Sequence, residues 1–69
     1  MKISARNQLK GKVEKITIGA VNAEVLITTA NGEKIVSVIT IDSVETLGLK
    51  EGQTVYAVIK ASNVMIAVD

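Results

Sequence analysis

The sequence predicts an all-β fold with one short helix. Its 69 residues include ten Val and nine Ile, against one Tyr and no Phe, Trp or Pro. β-branched side chains lose little freedom in an extended backbone and pack well on a pleated surface, so this composition favours strands. Apolar and polar residues also alternate in short runs between turn-forming residues. No linker, repeat or low-complexity tract divides the chain, and we expect residues 1–69 to form a single domain.

The first strand is predicted over residues 8–18, with an irregularity in its middle. Its apolar positions change phase, from odd at Val13 to even at Ile16. A strand has a side-chain period of two, so the phase shifts only where an extra residue is inserted. We therefore expect a bulge or a sharp bend near Glu14 and Lys15, which would help a small sheet to curl.

The second and third strands are predicted over residues 21–29 and 33–40, joined by a hairpin. Asn31-Gly32 between apolar runs suits the two positive φ angles of a type I′ turn. The third strand and its end are apolar on both faces, with Ile35, Ile39 and Ile41 on one and Val36 and Val38 on the other. A one-sided sheet strand alternates more cleanly, so we expect the second face to contact a neighbouring subunit.

Residues 42–48 carry the one helix signal. Asp42 as N-cap and Glu45 three residues later form a capping box, and Gly48 suits the position after the last turn. The spacing therefore predicts a short helix between the third strand and the next one.

Two more strands are predicted after the helix, over residues 54–61 and 64–68. The order is then three strands, one short helix and two strands. A five-stranded Greek-key barrel with its helix between strands three and four has this order, so we predict an OB-like barrel.

Composition restricts the classes of function. With no Cys and no His, the chain forms no disulfide and lacks the usual soft metal ligands. The acids are scattered, so no carboxylate cluster suggests a catalytic site or a site for a free metal cation. The apolar runs are far shorter than the ~20 residues that cross a bilayer, and the N-terminus lacks a signal-peptide core. We expect a cytoplasmic protein that is not an enzyme and has no membrane partner.

The small size of the chain predicts association of subunits. A domain this short buries only roughly 60% of its unfolded surface and usually needs disulfides, a metal or partner subunits. Disulfides are excluded and soft metal ligands are missing, while 48% of the residues are apolar. We therefore expect a homo-oligomer.

The start of the chain is basic without compensation. Between Met1 and Val13 there are four cations and no acid, although the formal net charge is only +1. Cationic side chains, hydroxyls and backbone N–H groups at turns and helix starts are the groups that hold an oxyanion. Such residues lie near predicted strand ends or the helix start at Ser4, Arg6, Thr40, Ser43, Lys60 and Ser62. The alternative is that the lysines keep sheet edges soluble and the hydroxyls cap the helix.

A barrel of this type with a basic end also suggests an OB-fold nucleic-acid or protein-interaction module. Single-strand binding on such barrels relies on aromatic platforms, and Tyr56 is the only aromatic residue. The small net charge gives little attraction to phosphates. We therefore expect no nucleic-acid partner and keep this class as the alternative.

Three blocks of the sequence resemble the molbindin (Mop) family of small molybdate- and tungstate-binding domains. They are SARNQLKG at 4–11, TIDSVETLGLKEG at 40–52 and AVIKASNVM at 57–65. The blocks occur in the family's order and together span nearly the whole chain. The resemblance implies an OB-like barrel assembled as a homohexamer, a trimer of dimers, that holds oxyanions between subunits for storage and homeostasis.

The resemblance also implies the ligand residues. The anion, molybdate or tungstate, would be held without an organic cofactor by Ser4, Arg6 and Lys60, together with Thr40 and Ser43 of a neighbouring chain. Some relatives have Ser where this chain has Ala61, so a contact there would come from the Ala61 backbone N–H or from Ser62. A second kind of oxyanion site near a threefold axis is implied for the turn of Gly19, Ala20, Val21 and Asn22.

Overall fold

Four antiparallel strands form one curled sheet in the computed structural model, which describes all 69 residues. The strands are β1 (Asn7–Ile18), β2 (Asn22–Thr29), β3 (Lys34–Thr40) and β4 (Thr54–Ile59). Helix α1 (Ile41–Leu47) lies between β3 and β4 in the chain. Across the sheet the order is β3, β2, β1, β4. The prediction of a mostly β chain with one short helix after the third strand is confirmed.

The predicted fifth strand is wrong. After β4 the chain forms a 3₁₀ turn (Ala61–Asn63), and residues 64–69 have no regular secondary structure. Strands β3 and β4 therefore remain unpaired edges, and the sheet does not close into a five-stranded barrel. The physical reason is that the strand preference of Val64, Ile66 and Val68 is realised only beside a partner strand, and no strand of the same chain pairs with them.

Strand β1 contains the predicted bulge. Val13 pairs with Ile27 and Lys15 pairs with Leu26, so Glu14 is the extra residue of the ladder. The Glu14 carboxylate accepts hydrogen bonds from Thr28 and Lys34, and the ion pair with Lys34 and the Thr28 hydroxyl lower the pKa of Glu14. The bulge keeps the inner face of β1 apolar through the change of phase.

The β2–β3 hairpin has a different turn from the predicted type I′ turn. The Thr29 carbonyl accepts a hydrogen bond from the Gly32 N–H at 3.0 Å, and the Thr29 N–H donates to the Glu33 carbonyl at 2.9 Å. Gly32 has a φ of 83°, whereas Asn31 has no positive φ. The loop therefore has three residues, beginning at Ala30 and ending on a left-handed glycine.

Thr40 is the N-cap of α1, which corrects the prediction of Asp42. The Thr40 hydroxyl oxygen accepts a hydrogen bond from the Ser43 N–H at 3.0 Å. As the last residue of β3, Thr40 already has the extended backbone that an N-cap requires, whereas Asp42 lies inside the first helical turn. Gly48, at a φ of 61°, ends the helix as predicted and donates its N–H to Glu45.

The core lies on the inner face of the curled sheet, against α1. Its buried side chains are Val13, Ala23, Val25, Ile27, Val44 and Ala57. Ile35 and Ile39 of β3 pack against this cluster. Val36 and Val38 point to the other face and are 59% and 65% exposed, so the second apolar face of β3 has no cover within the chain. The chain contains no helix with the length and apolar character needed to span a membrane.

Candidate oxyanion-binding site

One group of predicted ligands lies where β1 begins and β4 ends. The last pair of the β1–β4 ladder is Asn7 with Ile59, so the chain leaves the sheet at Arg6 on one strand and at Lys60 on the other. Continued by one residue, the antiparallel register places Arg6 opposite Lys60. Ser4, Ala61 and Ser62 belong to the same end of the sheet. Antiparallel pairing thus brings together ligands that are more than 50 residues apart in sequence.

Arg6 and Lys60 form an uncompensated pair of cations. Both side chains are exposed, and the one ion pair of the structure joins Lys34 to Glu14 instead. No acid occurs between Met1 and Val13 or between Gly52 and Val68. Like charges on facing strands repel each other, and a bound anion would turn this repulsion into two charge-assisted hydrogen bonds.

The second group of predicted ligands lies at the start of α1. The Thr40 hydroxyl accepts from the Ser43 N–H and donates to the Ser43 hydroxyl oxygen at 2.8 Å. The Ser43 hydroxyl therefore keeps its own proton free for a further acceptor. Thr40 is exposed and Ser43 half-buried, so both hydroxyls are accessible from outside the chain.

The predicted second kind of site adjoins Thr40 and Ser43. Asn22 pairs with Thr40 in the β2–β3 ladder, and the Ile41 N–H donates to the Val21 carbonyl at 3.2 Å. In the same turn the Gly19 N–H donates to the Asn22 carbonyl at 2.8 Å. A Cβ on Gly19 would lie 2.9 Å from that carbonyl oxygen, so the turn requires glycine there.

The turn also leaves two backbone donors without acceptors. Ala20 and Val21 lie outside every helix and strand, and their N–H groups form no hydrogen bond within the chain. All four residues of the turn are exposed. Two adjacent free N–H groups are a donor arrangement suited to an oxyanion.

A single chain does not bring the two ligand groups together. Strand β1 runs from the Arg6 end of the sheet to the Ile18 end, where it pairs with the start of β2. The group of Thr40, Ser43 and residues 19–22 is at this second end, twelve β1 residues away from Arg6. The predicted ligand residues of one chain therefore lie in two separate groups.

The comparison with protein families decides the classification. The family model of the TOBE domain matches residues 3–66. Molybdenum-pterin-binding protein 2 of Clostridium pasteurianum is 58% identical over 66 residues, which cover 96% of this chain and 97% of that protein. The chain is a TOBE-domain protein of the molbindin family.

Solved structures agree with the molbindin assignment. The chain superimposes on MopII from Clostridium pasteurianum with a TM-score of 0.92 and 55% identity, covering 97% of this chain and 100% of that one. A structure described as the cytoplasmic molybdate-binding protein ModG, with molybdate bound, matches with a TM-score of 0.90 and 51% identity. The match covers 94% of this molbindin and 46% of the ModG chain.

Two features of this molbindin were not found by sequence reasoning. The first is the side chain of Gln8, which donates a hydrogen bond to the Ala5 carbonyl at 2.8 Å, between the predicted ligands Ser4 and Arg6. The sequence did contain a signal for this bond, because a Gln side chain at position 8 is long enough to reach a backbone carbonyl three residues earlier. The second is an open apolar groove of about 330 Å³ between β3 and β4, whose lining comes from all four strands and α1, so no single stretch of sequence signals it.

Proposed function

We propose that this chain binds molybdate or tungstate between subunits of a homo-oligomer and serves as an intracellular store of the oxyanion. The observation that carries the proposal is the split between Arg6 with Lys60 at one end of the sheet and Thr40 with Ser43 at the other. Relatives and solved neighbours named for molybdenum or molybdate binding support the choice of ligand. Residues 1–69 would act as a single domain, in the cytoplasm like ModG.

The chemistry of the ligand fits the side chains. Molybdate and tungstate are tetrahedral dianions near neutral pH, and two cations with several hydrogen-bond donors match their charge and their four oxygens. Arg6 supplies a planar fork and Lys60 a compact charge. Ser4, Ser62 and the Ala61 N–H are the further donors at this end. Thr40 and Ser43 of a neighbouring chain would complete the shell.

A homo-oligomer, which we propose to be a hexamer built as a trimer of dimers, explains the exposed apolar surfaces. Met65 and Val68 are each 92% exposed, and Ile66 is 86% exposed. These residues form an unpaired apolar segment in a chain that also leaves an apolar groove open. Exposed apolar surface of this extent marks an interaction surface. A second copy of the chain carries both the segment and the groove, so it would cover each with the other.

The turn of residues 19–22 is proposed as the second kind of oxyanion site. Its free N–H groups at Ala20 and Val21 are the donors, and it carries no cation. One chain therefore offers no positive charge there, and several copies around an axis would need to contribute donors to one anion.

Storage is proposed because binding and release require no reaction. The candidate ligands of this site are hydroxyls, backbone groups and the side chains of Arg6 and Lys60, and the chain has no His or Cys for catalysis. Anion occupancy would then follow concentration. Neither an organic cofactor nor a nucleic acid has a role in this proposal.

The proposal is tested by calorimetric titration of the purified protein. Molybdate and tungstate should each bind, and sulfate should bind more weakly because it is smaller and does not fill a shell built for the larger anions. Short single-stranded oligonucleotides are the comparison for the alternative class. Binding of oligonucleotides without binding of molybdate or tungstate would overturn the proposed function.

A further inference from the structure

Gln8 is attached to the segment that carries two of the proposed anion ligands. Its side-chain nitrogen Nε2 donates a hydrogen bond to the Ala5 carbonyl oxygen at 2.8 Å. Ala5 is half-buried, and its exposed neighbours Ser4 and Arg6 are the proposed ligands. The bond therefore joins the side chain of the second residue of β1 to the middle of the segment that carries Ser4 and Arg6.

No other hydrogen bond holds this segment. Residues 1–6 precede β1, and neither their backbone nor their side chains form another hydrogen bond in the structure. A segment with few hydrogen bonds opens easily. Gln8 therefore provides the only hydrogen bond that restrains the segment of Ser4 and Arg6.

The facing segment is held in a different way. The Asn63 N–H donates to the Lys60 carbonyl at 2.8 Å, and the Val64 N–H donates to the Ala61 carbonyl at 3.3 Å. These backbone bonds form the 3₁₀ turn and fix the backbone at Lys60 without a side chain. Of the two segments that meet at this end of the sheet, only the one that carries Arg6 is held by a side-chain hydrogen bond.

We propose that Gln8 is a positioning residue of the oxyanion site. It holds the Ala5 carbonyl and so restricts Ser4 and Arg6 to conformations near the bound one before the anion arrives. Order that already exists in the free protein reduces the entropy lost on binding and raises affinity. Gln8 is uncharged and adds no attraction of its own. This inference rests on the proposed function.

The test compares three variants of the full-length protein by titration with sodium molybdate. Gln8→Leu removes the donor at nearly the same side-chain size and should weaken molybdate binding by about three- to tenfold, the range for one lost hydrogen bond. Thr28→Val is the matched control, because it removes the Thr28 hydroxyl, which donates to the Glu14 carboxylate at 2.6 Å in the middle of the sheet, away from the proposed ligands. Its affinity should equal that of the unsubstituted protein. Arg6→Ala removes a proposed ligand and reports on the site itself.

Two further measurements separate positioning from a general structural role. The mass of the assembly and the thermal midpoint of the anion-free protein should be the same for Gln8→Leu as for the parent. Backbone ¹⁵N order parameters at Ala5 and Arg6 should fall in anion-free Gln8→Leu and recover when molybdate is saturating.

Three outcomes would decide against the inference. If Gln8→Leu binds like the parent while Arg6→Ala loses affinity, Gln8 has no positioning role and the proposed function stands. If Gln8→Leu lowers the thermal midpoint or dissociates the assembly, its role is structural. If the parent itself does not bind molybdate, the proposed function fails, and the positioning role fails with it.

Discussion

Arg6 and Lys60 lie at the same end of the β1–β4 ladder, with no acid close to them in sequence and no ion-pair partner. A carboxylate at this place would compete with an anion for Arg6. The absence of acid from the first 13 residues therefore has a physical role in the proposed site, which the small net charge of the whole chain conceals.

Arg6→Ala should weaken molybdate binding tenfold or more, because hydrogen bonds to charged groups contribute about 1.5–3 kcal/mol. Lys12→Ala is the matched control. It removes the same charge from the middle of β1, where Lys12 pairs with Thr28 and Thr54 rather than with any proposed ligand. Calorimetric titration of both variants at one ionic strength gives the comparison. Equal losses in the two variants would mean that only overall charge matters and that Arg6 is not a ligand.

The local sequence predicted the bulge in β1 correctly but did not determine the type of the β2–β3 turn. The bulge in β1 was predicted, because a change of apolar phase between Val13 and Ile16 is a local signal that only an inserted residue satisfies. The β2–β3 turn was located correctly but given the wrong type. Asn31-Gly32 fits a two-residue loop and also a three-residue loop, and the cross-strand register from Thr28 to Lys34 selects the second.

The predicted fifth strand failed for a non-local reason. Val64, Ile66 and Val68 have the right residue types, but a strand also needs an edge to pair with, and no property of the segment itself specifies one. The grouping of the candidate site residues also depends on non-local pairing. Composition proposed hydroxyls and cations, whereas the grouping of Arg6 with Lys60 depends on the β1–β4 register and entered the prediction only through the family resemblance.

The start of helix α1 allows a test of which residue caps it. Thr40→Ala should lower the free energy of unfolding by about 1 kcal/mol, because it removes the acceptor for the Ser43 N–H at the helix start. Asp42→Ala, at the position that the sequence predicted as the cap, should lower it less. Chemical denaturation of the anion-free variants at one protein concentration measures both values. A larger loss for Asp42→Ala would show that Asp42 caps the helix.

Three apolar features of the molecule remain uncovered by the single chain. They are the groove between β3 and β4, the segment of residues 64–68, and the Val36 and Val38 face of β3. The two groups of proposed ligands lie at opposite ends of the sheet, and the proposed site needs both. Association of identical chains would cover the apolar surfaces and would also bring the two groups of proposed ligands together. Anion binding and assembly are then linked, since a ligand that binds only the assembled form stabilises it by mass action.

Ile66→Asp should dissociate the proposed assembly, because a charge in an apolar contact between subunits would be buried without a partner. Ile66 is 86% exposed in the single chain, so the substitution costs nothing in the fold of one subunit. Asn31→Asp adds the same charge at the exposed tip of the β2–β3 hairpin and should leave the assembly intact. Native mass spectrometry of the two variants and the parent measures the subunit number, and circular dichroism checks that the subunits stay folded.

Loss of molybdate affinity together with the loss of assembly would show that the site needs two chains. A monomeric Ile66→Asp variant with full affinity would place every ligand within one chain, and a monomeric parent would remove the interface altogether.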